Sequence, residues 1–86
     1  MKDANSKSDY PEFQLIANRL KELRKEKGYT NYEHIAFELG MSRSAYWRLE
    51  TGVNFELKTL IKVCRLLNVS LTEFFSKMDT SYSDKK

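Results

Sequence analysis

The sequence predicts an all-α domain of five short helices, and three observations carry that prediction. Apolar side chains recur at three- and four-residue spacing in successive segments, the period of a helix with one buried face. No stretch alternates apolar with polar residues as a half-buried strand does, and no internal repeat or low-complexity tract appears. Helix punctuation separates the segments: glycines stand at positions 28, 40 and 52, with capping residues ahead of the apolar runs.

Residues 1–9 are polar and lack periodicity, so a flexible tail is expected there. Pro11 suits the first turn of a helix, where its missing N–H is no loss. Phe13, Ile16, Ala17, Leu20 and Leu23 then repeat at helical spacing toward Lys27, and Gly28 stops the helix. Thr30-Asn31-Tyr32-Glu33 reads as a capping box for a second helix ending at Leu39, with Thr30 or Asn31 as the cap. Gly40 supplies the positive φ of a tight interhelical turn. Ser42 is the expected cap of a third helix over about Ser42–Thr51, and Gly52 is its C′ residue. Asn54 is the expected cap of a fourth, whose Leu57, Leu60, Ile61, Cys64 and Leu67 form one apolar stripe. Ser70-Leu71-Thr72-Glu73 is another capping box and opens a short last helix with Phe74 and Phe75. The expected domain is therefore 10–77, with a second flexible tail at 78–86.

Eighty-six residues supply apolar volume for one core and not for two. With 41% hydrophobic and 31% charged residues, disorder along the whole length is not expected. No apolar run approaches the ~20 residues of a membrane span, and Met1-Lys2-Asp3 begins no signal-peptide core. A single cysteine, Cys64, cannot pair internally, which fits a reducing cytoplasm. With one histidine, His34, no catalytic triad or metal cluster can be assembled, and the scattered glycines form no phosphate loop. No enzyme, cofactor or metal is expected. Cys64 falls on the apolar stripe and reads as core; His34 reads as a surface or boundary residue.

A net charge of +3 is compatible with a nucleic-acid partner. Arg19, Lys21, Arg24, Lys25 and Lys27 crowd the second half of the first helix, where only Glu22 and Glu26 oppose them. Most of these side chains read as a solvated face with local ion pairs.

The stretch from Ile35 to Gly52 concentrates the functional signal. It reads as two short helices joined at Gly40, with Ala36 small enough to let their backbones cross closely. A unit of this kind lays its second helix in the DNA major groove. From Arg19 to Phe75 the chain resembles the phage-repressor and Cro-like (XRE) group of helix-turn-helix regulators. The carrying residues are Arg19-Leu20-Lys21-Glu22-Leu23-Arg24, Ile35-Ala36 with Leu39-Gly40, and Ser42-Arg43-Ser44. Leu49-Glu50 with Gly52 follows, then Leu57-Lys58-Thr59-Leu60 and Leu66-Leu67-Asn68-Val69-Ser70-Leu71. The resemblance implies a compact five-helix bundle with the helix-turn-helix at helices 2–3, binding double-stranded operator DNA, usually as a dimer.

At 100° per residue, Arg43, Ser44, Trp47 and Arg48 share one face of the third helix, and Ala45, Tyr46 and Leu49 the opposite one. The first set are the expected base contacts, since arginine offers a fork to guanine O6 and N7. Trp47 and Tyr46 both depart from the family, which has something smaller at each position. Trp47 can meet a thymine methyl or a phosphate, or fold over the protein surface. The Tyr46 ring needs room at the helix crossing, and its hydroxyl a partner or water. Asn31, Tyr32, Ser42, Asn54 and Lys58 are the expected phosphate contacts, the first two at a helix N-terminus whose dipole favours an anion. Tyr32 stands where the family has a glutamine. Arg24 and Glu50 look like the family's salt bridge between the first helix and the end of the third.

The leading reading is a cytoplasmic regulator from a bacterium or phage, a repressor on a palindromic operator. Its homodimer contact is expected within Leu71–Tyr82, with Phe74 inward and Phe75 or Met78 partly exposed. The alternative is an antitoxin or other protein-interaction module on the same fold, which an exposed patch of Phe37, Trp47 and Phe55 would favour.

Overall fold

The computed structural model describes residues 10–78 as five helices: α1 (Pro11–Glu26), α2 (Tyr32–Leu39), α3 (Arg43–Leu49), α4 (Leu57–Leu67) and α5 (Leu71–Ser76). No strand occurs among the described residues. The tails expected at 1–9 and from Asp79 onward lie outside them, whereas Met78 is described and packs half-buried against the core.

Local chemistry explains most helix ends. Pro11 opens α1. Asn31, not Thr30, caps α2: its side-chain Oδ1 accepts from the His34 N–H at 2.9 Å. Ser42 and Ser70 cap α3 and α5, accepting from the N–H of Ala45 at 3.1 Å and of Glu73 at 3.0 Å. The C-termini of α1, α2 and α4 close alike. In α2 the Gly40 N–H donates to the Phe37 carbonyl and the Met41 N–H to that of Ala36, with Gly40 at φ 72°. That crossed pair consumes carbonyls that would otherwise be orphaned, and it requires a left-handed residue. Asn68, at φ 59°, serves α4 in the same way, because asparagine tolerates that region better than most side chains.

The core gathers one face of every helix. Leu20 and Leu23 of α1 meet Ile35, Ala36 and Leu39 of α2, and Tyr46 and Leu49 of α3. Leu60, Val63, Cys64 and Leu67 of α4 close the cluster with Val69 and Phe74. Ala36 is fully buried in the α2 segment that packs on α3 and α4.

Three expectations need correction. Asn54 does not cap α4. The helix starts at Leu57 behind Glu56, whose side chain makes no cap bond, and Asn54 is an exposed loop residue. The loop is occupied otherwise, with Val53 buried and Phe55 packed on the core. The α4 stripe is accordingly shifted: Leu57 is 64% exposed, and Val63 takes a core position instead. Finally, α3 is shorter than Ser42–Thr51, and Gly52 lies two residues past its cap, Glu50. Gly52 is buried at φ 89° against α1, where an added Cβ would sit 2.8 Å from Gln14 Oε1.

Candidate nucleic-acid interface

The side chains of α3 divide as a docked recognition helix requires. Tyr46 and Leu49 are buried and Ala45 half-buried, whereas Arg43, Ser44, Trp47 and Arg48 are exposed. Trp47 presents half its surface, at 49%. The buried half packs toward α2, so the helix cannot roll without exposing Tyr46 and Leu49 to water.

An ion pair fixes the far end of this helix. Arg24 Nε stands 2.7 Å from Glu50 Oε2 and Nη2 donates to Oε1 at 3.2 Å, with the two side chains only 3% and 2% exposed. Arg24 Nη1 donates to the Tyr29 carbonyl at 2.7 Å, so the guanidinium also braces the loop before α2. Burial opposes its charge, but the hydrogen bond and charge of Glu50 outweigh burial and push its pKa up. Burial first, and then Glu50, also push the Tyr46 hydroxyl's pKa up. Among the described residues that hydroxyl is buried with no hydrogen-bond partner of acceptable geometry.

The N-terminus of α2 lies beside α3. Tyr32, half-buried, has the Arg24 guanidinium 4.9 Å and the Arg43 guanidinium 5.9 Å from its ring centre. Thr30, Asn31, Tyr32 and Arg43 line a cleft with Lys21, Arg24 and Lys25 of α1. Lys21 and Lys25, read from sequence as solvated charge, thus share a concave basic surface with the start of α2. Their four-residue spacing beside Arg24 was the available signal. Asn31 and Ser42 spend a side-chain oxygen on capping but stay exposed. Asn54 and Lys58 are exposed, in the α3–α4 loop and the first turn of α4.

Other polar groups are otherwise engaged. Arg19 is buried: Nε donates to the Phe74 carbonyl at 2.7 Å, Nη2 to the Glu73 carbonyl at 3.0 Å, and Nη1 pairs with Glu22 at 2.8 Å. It ties down the last turn of α5, a role its place among basic residues did not reveal. His34 is exposed, 3.3 Å from Glu38, whose other oxygen accepts from the Tyr29 hydroxyl at 3.0 Å. Cys64 is buried, and burial pushes its thiol's pKa up, away from reactivity. Among the described residues no three potential ligands are grouped to hold a metal, and no helix is long and apolar enough to cross a membrane.

Comparison with known proteins identifies the family. A helix-turn-helix family model matches residues 20–74, which span α2, α3 and α4 whole, the C-terminal part of α1 and most of α5. The chain belongs to that helix-turn-helix family. It is similar to Control protein C.MunI of Mycoplasma sp, with 36% identity over 65 residues covering 74% of this chain and 88% of that one. No solved structure matches significantly. This helix-turn-helix protein is a DNA-binding transcriptional regulator, XRE-like in type.

Proposed function

We propose that the protein regulates transcription by seating α3 in the major groove of an operator. Arg43, Ser44, Trp47 and Arg48 then reach base edges, while Asn31, Tyr32, Ser42, Asn54 and Lys58 meet phosphates. The supporting observation is the exposed quartet on α3 standing over a buried Tyr46–Leu49 face. Lys21 and Lys25 add positive charge at the α2 N-terminus, where backbone N–H groups suit an anion. The protein acts in the cytoplasm as a repressor, as a DNA-binding protein and not an enzyme. It acts as a homodimer on a palindrome, because one module covers only a half-site. Phe75, 41% exposed beside the fully buried Phe74, and Leu71, 42% exposed, suit a dimer contact on α5. The name of the relative, a control protein, is in keeping with a regulatory role.

A second reading, a protein-binding module such as an antitoxin, draws on Phe37, which is 82% exposed on α2. Phe55 instead packs on the core, so the three-ring patch that would favour this reading is incomplete. Selection of bound duplexes from a random DNA pool, followed by titration at two salt concentrations, separates the readings. Groove docking predicts one enriched motif and a steep salt slope. Arg43→Ala then relaxes one base position, while Lys58→Ala weakens all sequences alike and lowers the slope by about 1. An unenriched pool with no salt-dependent binding contradicts the proposal.

A further inference from the structure

We propose that Tyr32 is a positioning residue whose ring, and not its hydroxyl, sets the direction of Arg43 toward the bases. The inference rests on the reading in which Arg43 contacts a base. Among the described residues, no hydrogen bond or ion pair holds Arg43, and its guanidinium lies 5.9 Å from the centre of the Tyr32 ring. A guanidinium within about 6 Å of a ring centre is drawn to the π face, so an otherwise free arginine is biased toward a subset of rotamers. The ring is itself held. Arg24 sits 4.9 Å from its centre, and Arg24 is fixed by Glu50 at 2.7 Å in a pair almost wholly buried. The Tyr46 ring lies 6.1 Å away at a 43° tilt. The order of support thus runs from the buried Glu50 through Arg24 and the Tyr32 ring to the exposed Arg43. Arg48, on the same face of α3, has no ring contact among the described residues and serves as an internal control. The hydroxyl is not needed for any of these contacts, so the expected phosphate contact and the positioning role are separable.

The test uses the full chain, the duplex it selects from a random pool, and that duplex's single-base variants. Tyr32→Phe keeps the ring and is expected to keep the wild-type base preference. Tyr32→Leu is expected to lose about three- to tenfold in discrimination at the base Arg43 reads, little at other positions, and nothing further when Arg43→Ala is already present. Uniform weakening by both Tyr32 variants overturns the proposal and assigns Tyr32 to the backbone. An unchanged preference in Arg43→Ala refutes base reading by Arg43 itself. A changed preference there with none in Tyr32→Leu refutes only the coupling. Because Tyr32 touches Tyr46, the Leu variant is checked for folding by circular dichroism, and a DNA-free measurement stands beside it. The ring should shift the Arg43 side-chain proton resonances upfield of those of Arg48 in the wild type and in Tyr32→Phe. Coincident Arg43 and Arg48 resonances overturn the proposal whether or not the Leu variant folds.

Discussion

Replacing Glu50 with alanine strips the Arg24 guanidinium of its carboxylate partner while leaving the arginine where it is. The 2.7 and 3.2 Å contacts vanish from a site where the two side chains are 3% and 2% exposed, so water does not readily take the carboxylate's place. Removing one member of a buried ion pair costs about 3–5 kcal/mol, most of it the penalty of stranding the other charge. Arg24 keeps the Tyr29 carbonyl at 2.7 Å and the Tyr32 ring at 4.9 Å, which places the expected loss near the lower limit, at about 3 kcal/mol. A domain of this size has roughly 0.05–0.15 kcal/mol of stability per residue, so such a loss takes a large fraction of the total. At about 4–8 °C per kcal/mol, the melting temperature should fall by roughly 12–24 °C. Urea unfolding followed by circular dichroism measures the change, and Arg24→Ala should fall similarly. The Arg24→Ala/Glu50→Ala protein should be no worse than either single variant, because no unpaired charge remains. Losses that simply add in the double variant would refute the argument that the pair stabilises α3 as a unit.

The remaining predictions concern groups the pair does not include. Tyr46→Phe deletes a buried hydroxyl that makes no hydrogen bond of acceptable geometry among the described residues, so unfolding should show no loss of stability and a gain of up to about 1 kcal/mol; a loss of that size would mean the hydroxyl is bonded. Arg19→Ala frees the carbonyls of Glu73 and Phe74, and amide exchange should quicken in α5 well before α2; equal acceleration everywhere would reject the local role. The hydrogen bond to Glu38 pushes the Tyr29 hydroxyl's pKa up, with burial and the Glu38 charge adding to it. The folded state therefore holds this proton more tightly, a stabilisation present below the ordinary tyrosine value near 10 and lost as pH rises through the raised one. An NMR titration should find Tyr29 deprotonating late, and Glu38→Ala should bring it earlier; an unmoved midpoint would show that Glu38 is not the cause.

The parts legible in the sequence are those governed by near neighbours. Ser42 and Ser70 each cap through a backbone N–H three residues on, and Gly40 answers a turn that needs positive φ, so short windows suffice to place them. The face of α3 follows from helical periodicity once its start is known. What local reading misplaces depends on partners distant in sequence. Asn54 has a good capping side chain, but burial of Val53 and packing of Phe55 draw the loop across the core and delay α4 to Leu57. Three- and four-residue spacing admits both Leu57-Leu60-Ile61-Cys64 and Leu60-Val63-Cys64-Leu67, and only the neighbouring helices select the second. Arg19 is one basic residue among five until α5 arrives, more than 50 positions later, to offer it carbonyls. The contact of Tyr32 with Arg43 likewise exists only once α2 and α3 have docked.

The central claim is that α3 reads base edges in the major groove through Arg43. It is tested most directly by replacing each guanine of the selected duplex, one at a time, with 7-deazaguanine, which removes the major-groove N7 acceptor and keeps the base pairing. The account predicts that one such replacement weakens the wild-type protein by up to about tenfold, because one of the two bonds of a bidentate arginine contact is lost while the O6 bond remains. The same replacement should leave Arg43→Ala unaffected. An equal loss in both proteins, or no loss at any guanine, would contradict it.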